Sequence, residues 1–159
     1  MSSSEGFSIR QLGATDTALL NELSATFGEA FEEHHTYVSS RPGKAYLKGL
    51  LGSEYFIALV ALIDESVVGG IAAYELRKFE QERSEIYLYD LAVSAPHRRR
   101  GIASALIDEL KNIAAARGAC TIFVQADIGD DPAIDLYSKL GTRETVLHFD
   151  IAVAVSEDD

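Results

Sequence analysis

The sequence predicts a mixed α/β domain whose sheet is mostly antiparallel and is flanked by helices. Apolar, β-branched runs separated by short polar turns fill the stretch from 55 to 93 and indicate three neighbouring antiparallel strands. From residue 100 the apolar period becomes helical, and two helix patterns then alternate with two strand patterns. No linker or repeat divides the 159 residues, so we expect one domain over 1–159.

The first elements follow a polar, Ser-rich start over 1–6, which we expect to fray. Residues 7–12 alternate weakly and predict a strand. Asp16 is placed to cap a helix, and a second short helix is expected after Pro42. Helical spacing assigns eight side chains of the two helices to the core: Leu19, Leu20, Leu23, Phe27, Tyr46, Leu47, Leu50 and Leu51.

The central strands are predicted over 55–63, 67–76 and 85–93, with a turn at 64–66 and a charged hairpin loop at 78–84. A long helix follows, whose apolar stripe is Ile102, Leu106, Leu110 and Ile113. Gly118 is placed to end that helix in a left-handed conformation. We then expect a strand over 120–125, a helix over 132–140 opened by Pro132, and a final strand over 143–153.

The net charge of the chain favours some classes of ligand and disfavours others. There are 25 acidic and 14 basic residues, a net charge of −11, which opposes nucleic acid and anionic membranes and favours cationic ligands. The sequence contains no run of about 18 apolar residues, so no membrane span is predicted. No secretion signal is recognisable at the start. The single cysteine, Cys120, lies in an apolar run and is expected in the core. We therefore expect a cytoplasmic location.

An anion site is predicted where a strand meets the long helix. Three consecutive arginines (98–100) and Gly101 precede Ile102, Ala103 and Ser104, in a chain that is otherwise acidic. The first amides of a helix have no internal partner and carry the positive end of its dipole. Small residues at 101 and 103 let a diphosphate approach the backbone. The alternative is a solvated basic turn.

The pattern Arg-x-x-Gly-x-Ala (Arg98, Gly101, Ala103) after Leu-Ala-Val resembles the acetyl-CoA signature of the GNAT acetyltransferases. A second family element, Ala-x-x-x-Tyr-x-Lys-x-Gly, is matched by residues 133–141. The resemblance covers essentially the whole chain. Two positions depart from the family: Asp130 stands where an Asn is common, and Thr142 where an aromatic residue is common.

The resemblance implies a GNAT fold, with a bulged strand that splays from its neighbour, and acetyl-CoA as cosubstrate. Tyr137 would protonate the leaving thiolate, although a phenol pKa near 10 matches neutral pH poorly. Acetyl-CoA would be held by residues along that strand, its following loop and the later helix: Leu91, Ala92, Val93, Arg98, Arg99, Arg100, Gly101, Ile102, Ala103, Ser104, Asp131 and Ala133. A homodimer, with the last strand at its interface, is a family expectation.

Five further stretches (89–93, 97–99, 124–127, 129–133 and 148–151) resemble the type I aminoglycoside 3-N-acetyltransferases, which act on gentamicin-like polycations. The acidic residues agree with such a substrate. Asp127, Asp130 and Asp131 crowd one loop, and Asp150 lies on the polar face of the last predicted strand near His148. Clustered carboxylates attract ammonium groups. The alternative for Asp130 or Asp131 is a helix N-cap.

The general base is predicted to be Asp90, an acid inside an otherwise apolar strand and next to the expected acyl-binding backbone. A structural or merely orienting role for Asp90 stays open. Alternative candidates for the general base are Glu85 and the loop that contains Glu80 and Glu82. Glu85 is also a candidate substrate-binding acid. No metal is expected, because adjacent histidines at 34 and 35 point about 100° apart on a helix.

Two competing functions remain open. One is a GNAT enzyme that acetylates another amine, such as a polyamine, a protein N-terminus or a lysine. The other is a non-catalytic acetyl-CoA-binding domain, which the presence of Tyr137 and Asp90 disfavours.

Overall fold

The computed structural model describes residues 6–33, 35–39 and 41–155. Contacts divide the chain into two compact units, Met1–Gln125 and Ala126–Asp159, and each is described by itself. Within the described ranges, no helix has both the length and the apolar character that a membrane crossing requires. The expected frayed start covers residues 1–6, of which 1–5 lie outside the described ranges. One domain over 1–159 stays a prediction.

The first unit is a five-stranded mixed sheet in the order β1-β2-β3-β4-β5. Its strands are β1 (Ser8–Gln11), β2 (Phe56–Ile63), β3 (Ser66–Lys78), β4 (Arg83–Val93) and β5 (Ala119–Val124). The first four are antiparallel in sequence order, and β5 runs parallel to β4. The predicted mixed, mostly antiparallel sheet is confirmed.

The helices of this unit are α1 (Thr17–Ala30), α2 (Lys44–Leu51) and α3 (Ile102–Arg117). A π-helical turn (His35–Ser39) lies between α1 and α2, and a 3-10 turn (Ala95–His97) follows β4. The helix α3 ends at Gly118 in the predicted left-handed conformation, with φ +74°. The second unit holds α4 (Asp131–Leu140), with Pro132 in its first turn as predicted.

The core lies on both faces of β2, whose residues 56–61 are all buried. On one face, alternate residues of β2 pack with Leu20, Leu23 and Phe27 of α1 and with the buried side of α2. The other face is covered by α3, which contacts β2, β3 and β4 through its buried stripe. Apolar residues therefore run continuously along β2, as expected for a strand buried on both faces.

Four details of the sequence prediction are wrong. Tyr46 is 65% exposed, because it lies on the outer side of α2, whose buried residues are Leu47 and Leu51. Cys120 is exposed, because β5 is an edge strand. Asp16 is the N-cap residue of α1 as predicted, but its carboxylate accepts from the Gly13 amide and pairs with Arg10 instead of bonding to the first amides of the helix.

The fourth correction concerns the last predicted strand. Residues 143–153 form no strand, and their alternating apolar side chains are exposed: Leu147, Phe149, Ile151 and Val153. A strand needs a hydrogen-bonded ladder as well as an alternating pattern. Among the described residues, none forms a ladder with this segment, so the pattern alone misled the prediction.

Candidate active site

The arginine loop connects β4 to α3 in a strained conformation. The side chains of residues 98–100 are exposed, and Arg98 Nε donates to the Val93 carbonyl at 2.9 Å, which ties the loop back to the strand. Arg99 and Gly101 both have positive φ, at 62° and 79°. Positive φ is unusual for a residue with a side chain. The loop therefore turns sharply just before the helix.

The N-terminus of α3 is open. Its first helical bond runs from the Ala105 amide to the Gly101 carbonyl, so the amides of 102–104 have no partner within the helix. Among the described residues, no side chain caps this end. A β-carbon on Gly101 would meet no atom within 4 Å. Free amides, a dipole end and a clear approach fit the diphosphate of acetyl-CoA.

The end of β4 lies beyond its ladder with β5. The parallel pairing covers Ser84 to Leu88, whereas Leu91, Ala92 and Val93 pair only on their other side, with β3. Their backbone groups on the β5 side are thus outside the ladder of the described strands. An extended ligand can hydrogen-bond to such a strand edge. This geometry fits the acetyl-CoA binding that the resemblance implies for these three residues.

Asp90 is partly buried on β4 and lies near the hydroxyl of Tyr37, which donates to its Oδ1 at 3.2 Å. Burial raises the pKa of the Asp90 carboxyl, and the negative charge of Glu33 raises it further, while the hydrogen bond from Tyr37 acts in the opposite direction. A carboxylate with a raised pKa is a better proton acceptor at neutral pH than an ordinary one.

A row of aromatic rings that was not predicted from the sequence lies beside Asp90. The ring of Tyr89 lies 5.9 Å from that of Tyr74 and 5.3 Å from that of Tyr87, which stacks on Phe123 at 4.6 Å. The Tyr87 hydroxyl donates to Gln125 at 2.7 Å. Tyr87 and Tyr89 alternate along one strand, and that spacing was the available signal. Such rings can contact sugars and ammonium groups.

The alternative acids of this unit are placed differently. Glu85 is five residues before Asp90 on the same strand, about 16 Å away in an extended chain, so the two do not converge. Glu80 lies in the hairpin turn and pairs with Arg83 at 3.4 Å and with Lys78 at 3.9 Å. Glu82 is exposed in the same turn. The roles suggested for these acids stay predictions.

In the second unit, Asp130 is the N-cap of α4, since its carboxylate accepts from the Ala133 amide at 3.4 Å. The capping alternative is therefore correct for this residue. Asp127 accepts the Asp130 amide through its carbonyl at 3.1 Å, and Asp131 begins the helix. All three carboxylates are exposed at one end of α4.

Tyr137 lies two turns into α4. Burial, followed by the negative charge of Asp130, raises the pKa of its hydroxyl to about 12. The phenol therefore keeps its proton throughout the neutral range and is available as a hydrogen-bond donor. In the tail that follows, His148 Nε2 and Asp150 Oδ1 lie 2.9 Å apart in a solvent-exposed pair. Over the described residues, no three His, Cys, Asp or Glu side chains are grouped as a metal would require.

Comparison with known proteins identifies the family. The family model of the acetyltransferase (GNAT) family matches residues 17–142, which include the arginine loop, β4 and α4. The chain belongs to the GNAT acetyltransferase family. This family uses acetyl-CoA, and the acetyltransferase resemblance of the sequence is confirmed.

Solved structures similar to this GNAT acetyltransferase include two aminoglycoside acetyltransferases from uncultured soil metagenomic samples. One is 63% identical, with a TM-score of 0.91, over 93% of this chain and 99% of its own. The other, in complex with sisomicin, is 30% identical, with a TM-score of 0.88, over 96% of this chain and 100% of its own.

Among curated proteins, N-acetyltransferase 8B of Rattus norvegicus is 30% identical over 106 residues, covering 67% of this GNAT chain and 46% of its own length. The chain spans about half the length, or less, of such curated relatives.

Proposed function

We propose that this GNAT acetyltransferase transfers the acetyl group of acetyl-CoA to the 3-amine of the deoxystreptamine ring of gentamicin-like aminoglycosides, and so gives resistance to them. The observation that carries the proposal is the 63% identity, over almost the whole of both chains, to an aminoglycoside acetyltransferase. A relative at 30% identity, in complex with sisomicin, supports the same substrate class. The choice of the 3-amine rests on the sequence resemblance.

The chain's own charges suit a polycationic substrate. The net charge is −11, and exposed carboxylates cluster at residues 127, 130 and 131. At neutral pH an aminoglycoside carries several ammonium groups, which such a field attracts. The three arginines of 98–100 reverse the sign locally, where the diphosphate of acetyl-CoA would bind to the amides at the start of α3.

The residues divide the chemistry between them. Acetyl-CoA supplies the acetyl group as a thioester, whose carbonyl carbon forms a bond with the amine nitrogen while its bond to sulfur breaks. The Asp90 carboxylate would take the proton that the amine loses, directly or through a water. The Tyr137 hydroxyl would give its proton to the departing sulfur, or stabilise the charge on it by a hydrogen bond.

The deciding experiment measures coenzyme A release by the purified chain with acetyl-CoA and, in turn, gentamicin, sisomicin, spermidine and a lysine peptide. We expect turnover with the two aminoglycosides, one acetyl group on the 3-amine by NMR of the product, and increased gentamicin tolerance of a bacterium that expresses the chain. Acetylation at a different amine would contradict the regiochemistry alone. Turnover of only the peptide or spermidine would replace the proposal by a GNAT enzyme for those amines.

Two finer properties complete the proposal. The reaction takes place in the cytoplasm, where acetyl-CoA is available, and the enzyme is a homodimer. The exposed apolar side chains at 147, 149 and 151 support a second copy of the chain as a partner for the tail. Light scattering of the purified protein tests the dimer: a monomeric mass at the assay concentration would contradict it.

A further inference from the structure

A β-bulge determines which face of the sheet Asp90 occupies. In the β3–β4 ladder, Ala73 pairs with Leu88 but Ala72 pairs with Asp90, so Tyr89 is the extra residue. An extra residue reverses the alternation of side chains along a strand. Asp90 is therefore cross-strand to Ala72, which belongs to the core on the α1 side of the sheet. Without the bulge, the carboxylate would point toward the α3 side.

Tyr37 reaches that face from the π-helical turn and is held at several points. Its amide donates to the Glu33 carbonyl at 3.2 Å, and its carbonyl accepts from the Ser24 hydroxyl at 2.8 Å. Its ring packs against Phe27 and Phe31, with centroid distances of 5.9 and 5.8 Å. The hydroxyl at the end of this fixed ring donates to Asp90 Oδ1, 53 residues away in the sequence.

We propose that Tyr37 is the positioning residue of Asp90: it fixes the carboxylate through Oδ1, favours the ionised form and leaves Oδ2 to accept the proton of the substrate amine. Among the described residues, the Tyr37 hydroxyl is the side chain that hydrogen-bonds to this carboxylate. A donor to a carboxylate stabilises its charged form. The inference rests on the proposed role of Asp90 as the base.

The hydroxyl of Tyr37 stays a donor at working pH. Burial, followed by the charge of Asp90, raises the pKa of the Tyr37 phenol well above its usual value. The other titratable groups near Asp90 are Glu33, whose charge opposes ionisation of Asp90, and the phenols of Tyr74 and Tyr87, whose pKa values are raised by burial and also by the charge of Asp90. The ring of Tyr89 lies against both of these phenols. Of these neighbours, only Tyr37 favours the Asp90 carboxylate.

The test is Tyr37→Phe, which keeps the packed ring and removes the hydroxyl. Loss of the donor should raise the pKa of Asp90, by about one unit. The acid limb of the pH profile of kcat/KM for the aminoglycoside should then move to higher pH. The variant's kcat/KM should be about tenfold lower at pH values below the pKa of Asp90 and nearly unchanged at pH values above it. Titration of the substrate amine also shapes the pH profile, but this part is the same for the original enzyme and for Tyr37→Phe and should not move. An equal loss at every pH would overturn the proposal.

A matched control is Tyr46→Phe, which removes an exposed phenol of α2 and should leave the profile unchanged. In an Asp90→Asn background, Tyr37→Phe should have no further effect, because a positioning residue acts only through its target. A further loss of similar size in that background would contradict the inference.

One measurement needs no turnover. Carbon-13 NMR of Asp-labelled protein, with the Asp90 signal assigned from Asp90→Asn, gives the titration of this carboxyl directly. A higher midpoint in Tyr37→Phe supports the inference even if no aminoglycoside is acetylated, and an unchanged midpoint overturns it. If Asp90→Asn retains full activity while the midpoint still moves, the proposed base is wrong and the control of Asp90 by Tyr37 is confirmed.

Discussion

Leu23 of α1 lies directly against Gly70 of β3. A β-carbon on Gly70 would lie 2.5 Å from Leu23 Cδ1 and would also overlap the Leu59 carbonyl oxygen. Real β-carbons do not approach other atoms so closely, and the carbonyl belongs to the buried strand β2. The glycine thus allows α1 to pack closely onto the sheet.

Replacing Gly70 by Ala should therefore lower the free energy of unfolding by about 3 kcal/mol, near the upper end of the range for overpacked cores. Urea unfolding measures this loss. The control is Gly49→Ala in α2, where an added β-carbon meets no atom within 4 Å. There the better helix propensity of Ala should stabilise the protein by up to about 1 kcal/mol. Equal stabilities of the two variants would show that the contact with Leu23 does not constrain the fold.

Gly101→Glu should abolish acetyl-CoA binding, because a carboxylate would project into the open end of α3 where the diphosphate is expected. Gly118→Glu is a matched control, since both glycines have positive φ (79° and 74°) and neither has an atom within 4 Å of an added β-carbon. Both variants should lose about 1 kcal/mol of stability to backbone strain. Calorimetry should show a loss of affinity of more than about 100-fold in Gly101→Glu alone. Unchanged affinity in the folded Gly101→Glu protein would reject this position for the diphosphate.

Tyr137→Phe should slow the chemical step by about 10²-fold, at the low end for a general acid, while both Michaelis constants stay near their original values. Because burial and Asp130 raise the pKa of the Tyr137 hydroxyl to about 12, its deprotonation should cause no alkaline decline in turnover below about pH 11. Single-turnover kinetics separate chemistry from product release. Tyr55→Phe, which removes an exposed phenol, serves as the control. An unchanged chemical rate in Tyr137→Phe would leave this ring with a packing role only.

Neutralising Asp127 and Asp131 together with Asn should raise the Michaelis constant for gentamicin about five- to thirtyfold, because each exposed ion pair contributes about 0.5–1 kcal/mol. The constant for acetyl-CoA should change little. Asp108→Asn with Glu22→Gln is a control, since it removes the same charge from exposed positions of α3 and α1.

Salt should weaken aminoglycoside binding to the original enzyme more than binding to the double variant, because salt screens exposed charges. Asp130 is better examined separately, because Asn preserves its N-cap and Ala does not. If the Michaelis constant for gentamicin rises equally in the control variant of α3 and α1, the substrate is attracted by the overall negative charge of the protein and not by a local acidic site.

The elements that could be predicted are those with a local signal. The helix α3 was visible in its apolar stripe and in Gly118, and α4 in Pro132 at its first turn. The arginine loop was visible as a motif, and its open helix end follows from backbone geometry that any such helix shares. These features need only neighbours in the sequence.

The features that could not be predicted depend on contacts between residues that are distant in the sequence. No pattern connects Tyr37 to Asp90, because their hydrogen bond joins a turn after α1 to a bulge in β4. The exposure of Tyr46 and Cys120 depends on which faces the rest of the fold covers. The alternation over 143–153 is present in the sequence, but an alternating pattern does not show whether a pairing strand is available.

The exposed position of Cys120 affects how the purified protein has to be handled. It is the chain's only cysteine and lies on the edge strand β5, so a maleimide dye would label one defined position without any mutation. The same thiol can join two molecules by a disulfide when air oxidises a stored sample. Such covalent pairs would have twice the mass of 17.3 kDa and would imitate a native dimer. Reductant therefore belongs in every measurement of mass, and a Cys120→Ser sample distinguishes chemical cross-linking from true association.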